Sequence, residues 1–289
     1  MNIIQLAIQH PFFLIPDDIY LKIKYRIKTG KKLNLKNPVL FDEKIQWLKL
    51  YNRQPNYPNL VDKYEVRKYI AETIGEEYLI PSYGVWDSFD EIPFDKLPNE
   101  FVLKCTHDCA SVYICKDKKA IDMQKLRKKF NKHLSLNYFW NRREWVYKSI
   151  KPRITAEKLM VDESGTELKD YKIYCFNGES KIIEVIFNRF TNEPKENFYS
   201  PKWEYQPLTT GDYATDQNIE IKKPECLDKM LDLAKKLSEK MIHVRVDFYV
   251  INEKIYFGEL TFYNAGGHSE FNPPEWNKIF GDWMILPKC

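Results

Sequence analysis

The chain has 289 residues, 44% hydrophobic and 15% aromatic, enough for a core in one large domain or two to three small ones, which excludes a disordered chain. Its 45 basic and 41 acidic side chains leave a net charge of +4, compatible with an anionic ligand such as a nucleotide and too mild to argue for nucleic acid. The six cysteines form no CxxC pair and no metal-ligand spacing, so they read as free thiols of a cytosolic protein; no stretch reaches transmembrane length and no signal peptide is evident.

Residues 1–15 are apolar, interrupted by Pro11, and a basic run follows: Lys22, Lys24, Arg26, Lys28, Lys31, Lys32 and Lys36. This is either a docking helix with a solvated charged neighbour or a peripheral membrane contact. The three- and four-residue spacing of apolar side chains from Phe41 to Tyr51, with Asp42 and Glu43 in the first turn, predicts a helix. A second helix is expected from about Leu60 to Ile74. Tyr78 to Asp87 reads as extended, and Pro93 and Pro98 punctuate a loop.

Phe101–Cys105 reads as a buried strand with Lys104 at its rim, followed by a short loop, Thr106 to Ser111, and a return strand from Val112. Such a strand–loop–strand can cradle phosphates through backbone N–H groups and one ammonium. The loop lacks glycine, and Asp108 stands where a phosphate would sit, so Asp108→Gly is expected to tighten nucleotide binding. A Lys- and Leu-rich helix follows from Met123 to Leu136, then an aromatic, basic stretch to Ile150 that serves as packing or as a substrate wall. Ile154 to Met160 predicts a strand. Tyr171–Phe176 and Lys181–Phe187 predict a hairpin about Asn177-Gly178. Residues 188–221 read as a long irregular excursion, and 227–241 as an amphipathic helix.

The stretch from His243 to Gly267 predicts a second hairpin, turning at Asn252-Glu253. Asp247 and Glu259 lie within its otherwise apolar strands, where an unpaired buried carboxylate would be costly. Either the two acids share a divalent cation against nucleotide phosphates, or one pairs with Arg245 and the other with a lysine on a solvated face.

In this order the segments FDEKIQWLKLYNR, LVDKYEVRKYI, GVWDSFDEI, FVLKCTH, DYKIYCFNG, RVDFY and EKIYFGELTFY resemble the TupA-like ATP-grasp family of polysaccharide and teichuronopeptide biosynthesis, from about residue 17 to Pro287. The resemblance implies an α+β fold in which two α+β subdomains clasp ATP: a helical N-terminal region (1–98), a small subdomain (99–152) and a large subdomain carrying the metal site (153–289). It implies an ATP-dependent carboxylate–amine ligase working through an acylphosphate, amidating a uronic acid of a surface polysaccharide with an amino acid. Lys104 and Lys172 would touch phosphates, with Thr106, His107 and Ser111 in the phosphate loop. Glu157, Lys158 and Met160 would line the adenine hinge. Asp247, Glu259 and Thr261 would hold Mg2+, Thr261 standing where the superfamily tends to have asparagine. Arg245 would sit over the transferring phosphate. A non-catalytic nucleotide-binding module and a glycosyltransferase are the alternatives; no Asp-x-Asp pair for a nucleotide-sugar metal supports the latter. A cytoplasmic protein, associated with the inner membrane through its N-terminal segment, is the expected setting.

Overall fold

A computed structural model of the chain describes residues 13–163, 168–189, 191 and 193–287. The apolar segment expected to anchor the chain at a membrane falls mostly on residues 1–12 and lies outside the described residues. Among the described residues, four helices come first: α1 (Asp17–Thr29), α2 (Phe41–Tyr51), α3 (Tyr57–Val61) and α4 (Val66–Thr73). Helix α2 follows its apolar spacing, with Phe41, Ile45 and Leu48 buried, and Glu43 Oε2 accepts from the N–H groups of Val39 and Leu40 at 2.9 and 3.2 Å ahead of the first turn. The single helix expected over 60–74 is two. Asp62 Oδ1 accepts from Tyr64 N and Glu65 N at 2.8 and 3.0 Å, so a capping carboxylate breaks the first helix and starts the next.

Strands β1 (Ser82–Trp86), β2 (Phe101–Cys105), β3 (Tyr113–Cys115) and β4 (Ile154–Glu157) form an antiparallel sheet in the order β1-β4-β2-β3. This sheet draws β1 and β4 from outside the expected 99–152 segment, because β4 pairs between β1 and β2. Helix α5 (Met123–Leu134) covers it through Leu126 and Phe130, packed with Phe89, Phe101 and Ile154. The one-turn α6 (Phe139–Arg142) lies in the aromatic stretch that follows.

The second sheet is six-stranded. It contains β5 (Asp170–Phe176), β6 (Glu179–Phe187), β7 (Lys195–Tyr199), β8 (Tyr205–Gln206), β9 (His243–Ile251) and β10 (Lys254–Thr261), in the order β10-β9-β5-β6-β7-β8. Both expected hairpins are present. Their turn pairs, Asn177-Gly178 and Asn252-Glu253, all have positive φ (50°, 82°, 49° and 57°), the geometry that a two-residue hairpin of right-handed twist demands. The excursion expected over 188–221 supplies β7 and β8. Its strand character is masked because Glu196 and Asn197 are buried polar residues that bond to later loop residues, Thr209, Thr210 and Asp216.

One face of this sheet is apolar. Ile173, Cys175, Ile183, Val185, Val244 and Val246 are 0% exposed and share a core with Met230, Leu233 and Leu237 of α7 (Leu227–Ser238). Each such side chain contributes roughly 1.5–3 kcal/mol by leaving water. The opposite face carries the charged residues. Its far end is closed by Phe41 of α2 and Phe280 of α8 (Trp276–Trp283), which meet Phe176 edge-on.

Candidate active site

The strand period places the charged residues of the large sheet on one face. Glu259 lies opposite Asp247, Thr261 opposite Arg245, Lys172 opposite both Asp247 and Glu184, and Tyr174 opposite Arg245. A bulge between Phe257 and Glu259 brings Glu259 into line with Asp247. Gly258 sits in that bulge, where an added Cβ would come within 3.0 Å of the Asp247 carbonyl oxygen.

Arg245 organises this face. Its Nε and Nη2 donate to the two carboxylate oxygens of Asp247 at 2.7 and 2.6 Å, and Nη2 also reaches Glu259 Oε1 at 3.3 Å and Thr261 Oγ1 at 3.2 Å. Thr261 Oγ1 donates to Glu259 Oε1 at 3.2 Å. Burial pushes the Asp247 carboxyl up to about 6 against the pull of Arg245 and Lys172. Burial also acts to raise Glu259, but Arg245, Lys63 and Lys172 outweigh it and hold that carboxyl below its ordinary value. The structure matches neither arrangement the sequence left open in full: Arg245 pairs with Asp247, and it reaches Glu259 as well.

These residues form one wall of a cleft of about 230 Å³ between the two sheets. The other wall carries Lys104, whose Nζ donates to Glu157 Oε2 at 2.7 Å. Lys63, Lys172 and the Asp170–Arg189 ion pair also line it. The opposite end is apolar, lined by Ile80, Val102, Ile114, Met160 and Leu168, and bounded by the Glu157–Met160 segment. Lys158 N bonds back to Pro81 O at 2.9 Å, which fixes that segment beside β1. An apolar slot leading into a cationic end matches a purine base followed by phosphates.

Of the residues singled out in the sequence, Lys104, Glu157, Lys158, Met160, Lys172, Asp247 and Glu259 line this cleft, with Arg245 and Thr261 bonded to its carboxylates. Thr106, His107 and Ser111 are buried at 0%, 2% and 1%; Ser111 Oγ accepts from Cys105 N at 2.7 Å, and His107 Nε2 lies 3.1 Å from His133 O. Asp108 does not point at the cleft. It is 5% exposed, Oδ1 accepts from the N–H groups of Ala110 and Ser111 at 3.3 and 3.2 Å, and Oδ2 lies 2.6 Å from His133 Nδ1. Burial opposes its ionisation, but Ser111, Lys63 and His133 overcome it and hold the carboxyl below its usual range. Asp108 therefore does not stand where a phosphate would sit: this carboxylate shapes the glycine-free loop.

The sequence missed Lys63. The break between α3 and α4 turns it into the cleft, where its N–H donates to Thr106 O at 3.1 Å and its ammonium bonds Asp108 O. The clue was Asp62, an N-capping residue inside an apparent helix.

Oxygen donors that converge on one guanidinium nitrogen can also converge on a hard divalent cation. Asp247 and Glu259 supply carboxylates at one end of the cleft, and magnesium binds through one or two carboxylates plus substrate phosphates. The donor set fits, although among the described residues no group of three His, Cys, Asp or Glu side chains could hold a metal by itself.

Two antiparallel sheets gripping such a cleft have the architecture of the ATP-grasp class. The chain belongs to the TupA-like ATPgrasp family, which matches residues 43–285. Among solved structures it is similar to a D-alanine–D-alanine ligase from Bacillus anthracis (17% identity, 70% of this chain, 57% of that one, TM-score 0.41). It is similar also to an L-amino acid ligase from Bacillus licheniformis (13%, 89% and 58%, TM-score 0.48) and a D-alanine–D-alanine ligase from Helicobacter pylori (13%, 85% and 69%, TM-score 0.46). The chain thus spans somewhat more than half of the length of the first of these. No curated protein matches it.

Proposed function

We propose that the protein is an ATP-dependent carboxylate–amine ligase, acting on a carboxylate-bearing saccharide and an amino acid. The observation that carries this reading is the convergence of Arg245, Asp247 and Glu259 at one end of a cleft whose opposite end is apolar. A substrate carboxylate oxygen attacks the γ-phosphorus of ATP, and the bond to the β-bridging oxygen breaks to give ADP and an acylphosphate. The amine then attacks the acyl carbon, phosphate leaves, and the nitrogen loses a proton. Lys104, Lys172 and Lys63 neutralise phosphate charge, with Lys104 held in place by Glu157. Arg245 stabilises the oxyanion of the tetrahedral intermediate, a role whose loss costs about 10²–10³ in rate. Asp247 and Glu259, with Thr261 beside them, would hold magnesium, which supplies charge neutralisation on the phosphates. The loop 106–111, stiffened by Asp108, keeps water from the acylphosphate.

The test is the nucleotide product in a screen of amino acids against uronic acids. ADP and phosphate formed only with both a carboxylate and an amine support the ligase. AMP with pyrophosphate, or a nucleoside diphosphate released from a sugar nucleotide, overturns it. Asp247→Ala should abolish turnover with the fold intact.

The setting we propose is the surface of an anionic membrane, contacted through α1. Ile19, Ile23 and Ile27 are 45%, 49% and 77% exposed and repeat every four residues, opposite the buried Leu21 and Tyr25. Lys22, Arg26 and Lys28 are exposed along the same helix, the arrangement of a helix lying in a lipid interface. No helix among the described residues is long and apolar enough to cross a membrane. Flotation with vesicles containing anionic lipid should carry the wild-type chain and leave an Ile23→Glu, Ile27→Glu variant behind; no flotation of the wild type at any salt concentration sinks the proposal.

A further inference from the structure

Next to Lys172, the charged face of the large sheet continues onto two more strands. Glu184 on β6 lies opposite Lys172, and Glu196 on β7 lies opposite Ile186, which makes the two glutamates diagonal neighbours on one face. Both are almost wholly buried, at 1% and 0% exposure. Each has one satisfied oxygen. Glu184 Oε2 accepts from Tyr174 Oη at 2.6 Å; Glu196 Oε1 accepts from Thr209 Oγ1 at 2.7 Å and from Thr210 N at 3.0 Å. Each also has one oxygen, Glu184 Oε1 and Glu196 Oε2, with no hydrogen-bond partner. Thr210, 5% exposed and tied to Glu196 by its backbone, adds an unpartnered hydroxyl oxygen.

An unsatisfied buried carboxylate oxygen is costly, and two of them on diagonal neighbours mark a place built for a donor. The nearest cation, Lys172 Nζ, stands 3.9 Å from Glu184 Oε1, too long for a hydrogen bond, and it also faces Asp247 across β9. Arg245 is already committed to Asp247. A primary ammonium brings one positive charge and three N–H donors, enough to serve both bare carboxylate oxygens.

We propose that Glu184, Glu196 and Thr210 form the subsite for the ammonium group of the amine substrate. This rests on the ligase reading, since it seats the second substrate on the same sheet face as Arg245. Burial, with Glu184 beside it, pushes the Glu196 carboxyl up to about 7, as expected of a pair short of a cation. The site selects protonated primary amines over quaternary ones, because a methylated nitrogen offers no N–H to these oxygens.

The probe is methylammonium chloride, compared with tetramethylammonium chloride and potassium chloride at equal ionic strength, with the thermal unfolding midpoint of the full chain as readout. Methylammonium should raise the wild-type midpoint above both controls, by on the order of 2–4 °C near tenfold saturation. The rise should vanish in Glu196→Gln. If that variant does not unfold cooperatively, Thr210→Val takes its place, with a reduced rise expected. An equal response to all three salts, as two carboxyls sharing a proton or a trapped water would give, overturns the subsite; so does a rise that persists undiminished in the variant. Calorimetry of ATP into the wild-type chain is read separately: absence of ATP binding sinks the ligase reading, whatever methylammonium does.

Discussion

Asp108 takes, in the loop 106–111, the part that glycine plays in other tight turns. Its carboxylate accepts from two backbone N–H groups, which turns the chain tightly without a left-handed residue, and its second oxygen fixes His133. Replacing it by glycine or asparagine should therefore weaken ATP binding and cost about 1–3 kcal/mol of stability, measured by calorimetry and denaturant unfolding. A tighter ATP complex in Asp108→Gly would restore the electrostatic view of this residue. His243 makes a second residue-scale prediction. It lies 2.9 Å from Cys175 O and 2.8 Å from the Asn264 side chain, and burial lowers its ring from 6.5 to about 4. A depressed histidine stays neutral in the fold while the unfolded chain takes up a proton. Its share of stability is thus present above pH 6.5 and lost as the pH falls toward 4, on the order of 3 kcal/mol in all. In His243→Gln, urea titrations over that range should show a shallower fall than the wild type.

At the level of elements, what the sequence disclosed depended on whether the signal was local. The hairpin turns at 177–178 and 252–253 and the apolar spacing of α2 are local, and all were legible. Strand β7 was not, because its buried Glu196 and Asn197 find partners only in the 209–216 loop. The site divided in the same way. The alternation that put Asp247 and Arg245 on one face could be read, whereas Lys63 needed a helix break and Glu184 needed the pairing of β6 beside β5. Gly258 offers a test of the bulge. Valine there must displace backbone near Asp247, so Gly258→Val should lose ATP turnover out of proportion to its loss of stability. Helix α2 offers another. Lys49, 0% exposed, donates to Gln46 Oε1, Arg142 O and Gly266 O at 3.1, 3.1 and 2.7 Å, tying the helix to the loop that leaves β10. Lys49→Met should strand those acceptors and lower stability by about 1–3 kcal/mol in denaturant titration.

Across the whole molecule, the proposed function gives the two sheets different work on the nucleotide. The small one presents Lys104 and the apolar slot, the large one the acids and Arg245, so ATP should bridge them and slow amide exchange in both β2 and β9. Protection confined to one sheet would show that the cleft does not close as a unit. The pairing of Arg245 with Asp247 and Glu259 has a further consequence for how the protein keeps between turnovers. The two acids carry their own counter-ion, so the protein needs no metal to offset them. Its melting temperature should stand unchanged in excess chelator, and it should survive purification and storage stripped of divalent ions. The cost falls on affinity instead, since any magnesium that arrives must first dislodge a guanidinium, and metal bound without nucleotide should be weak.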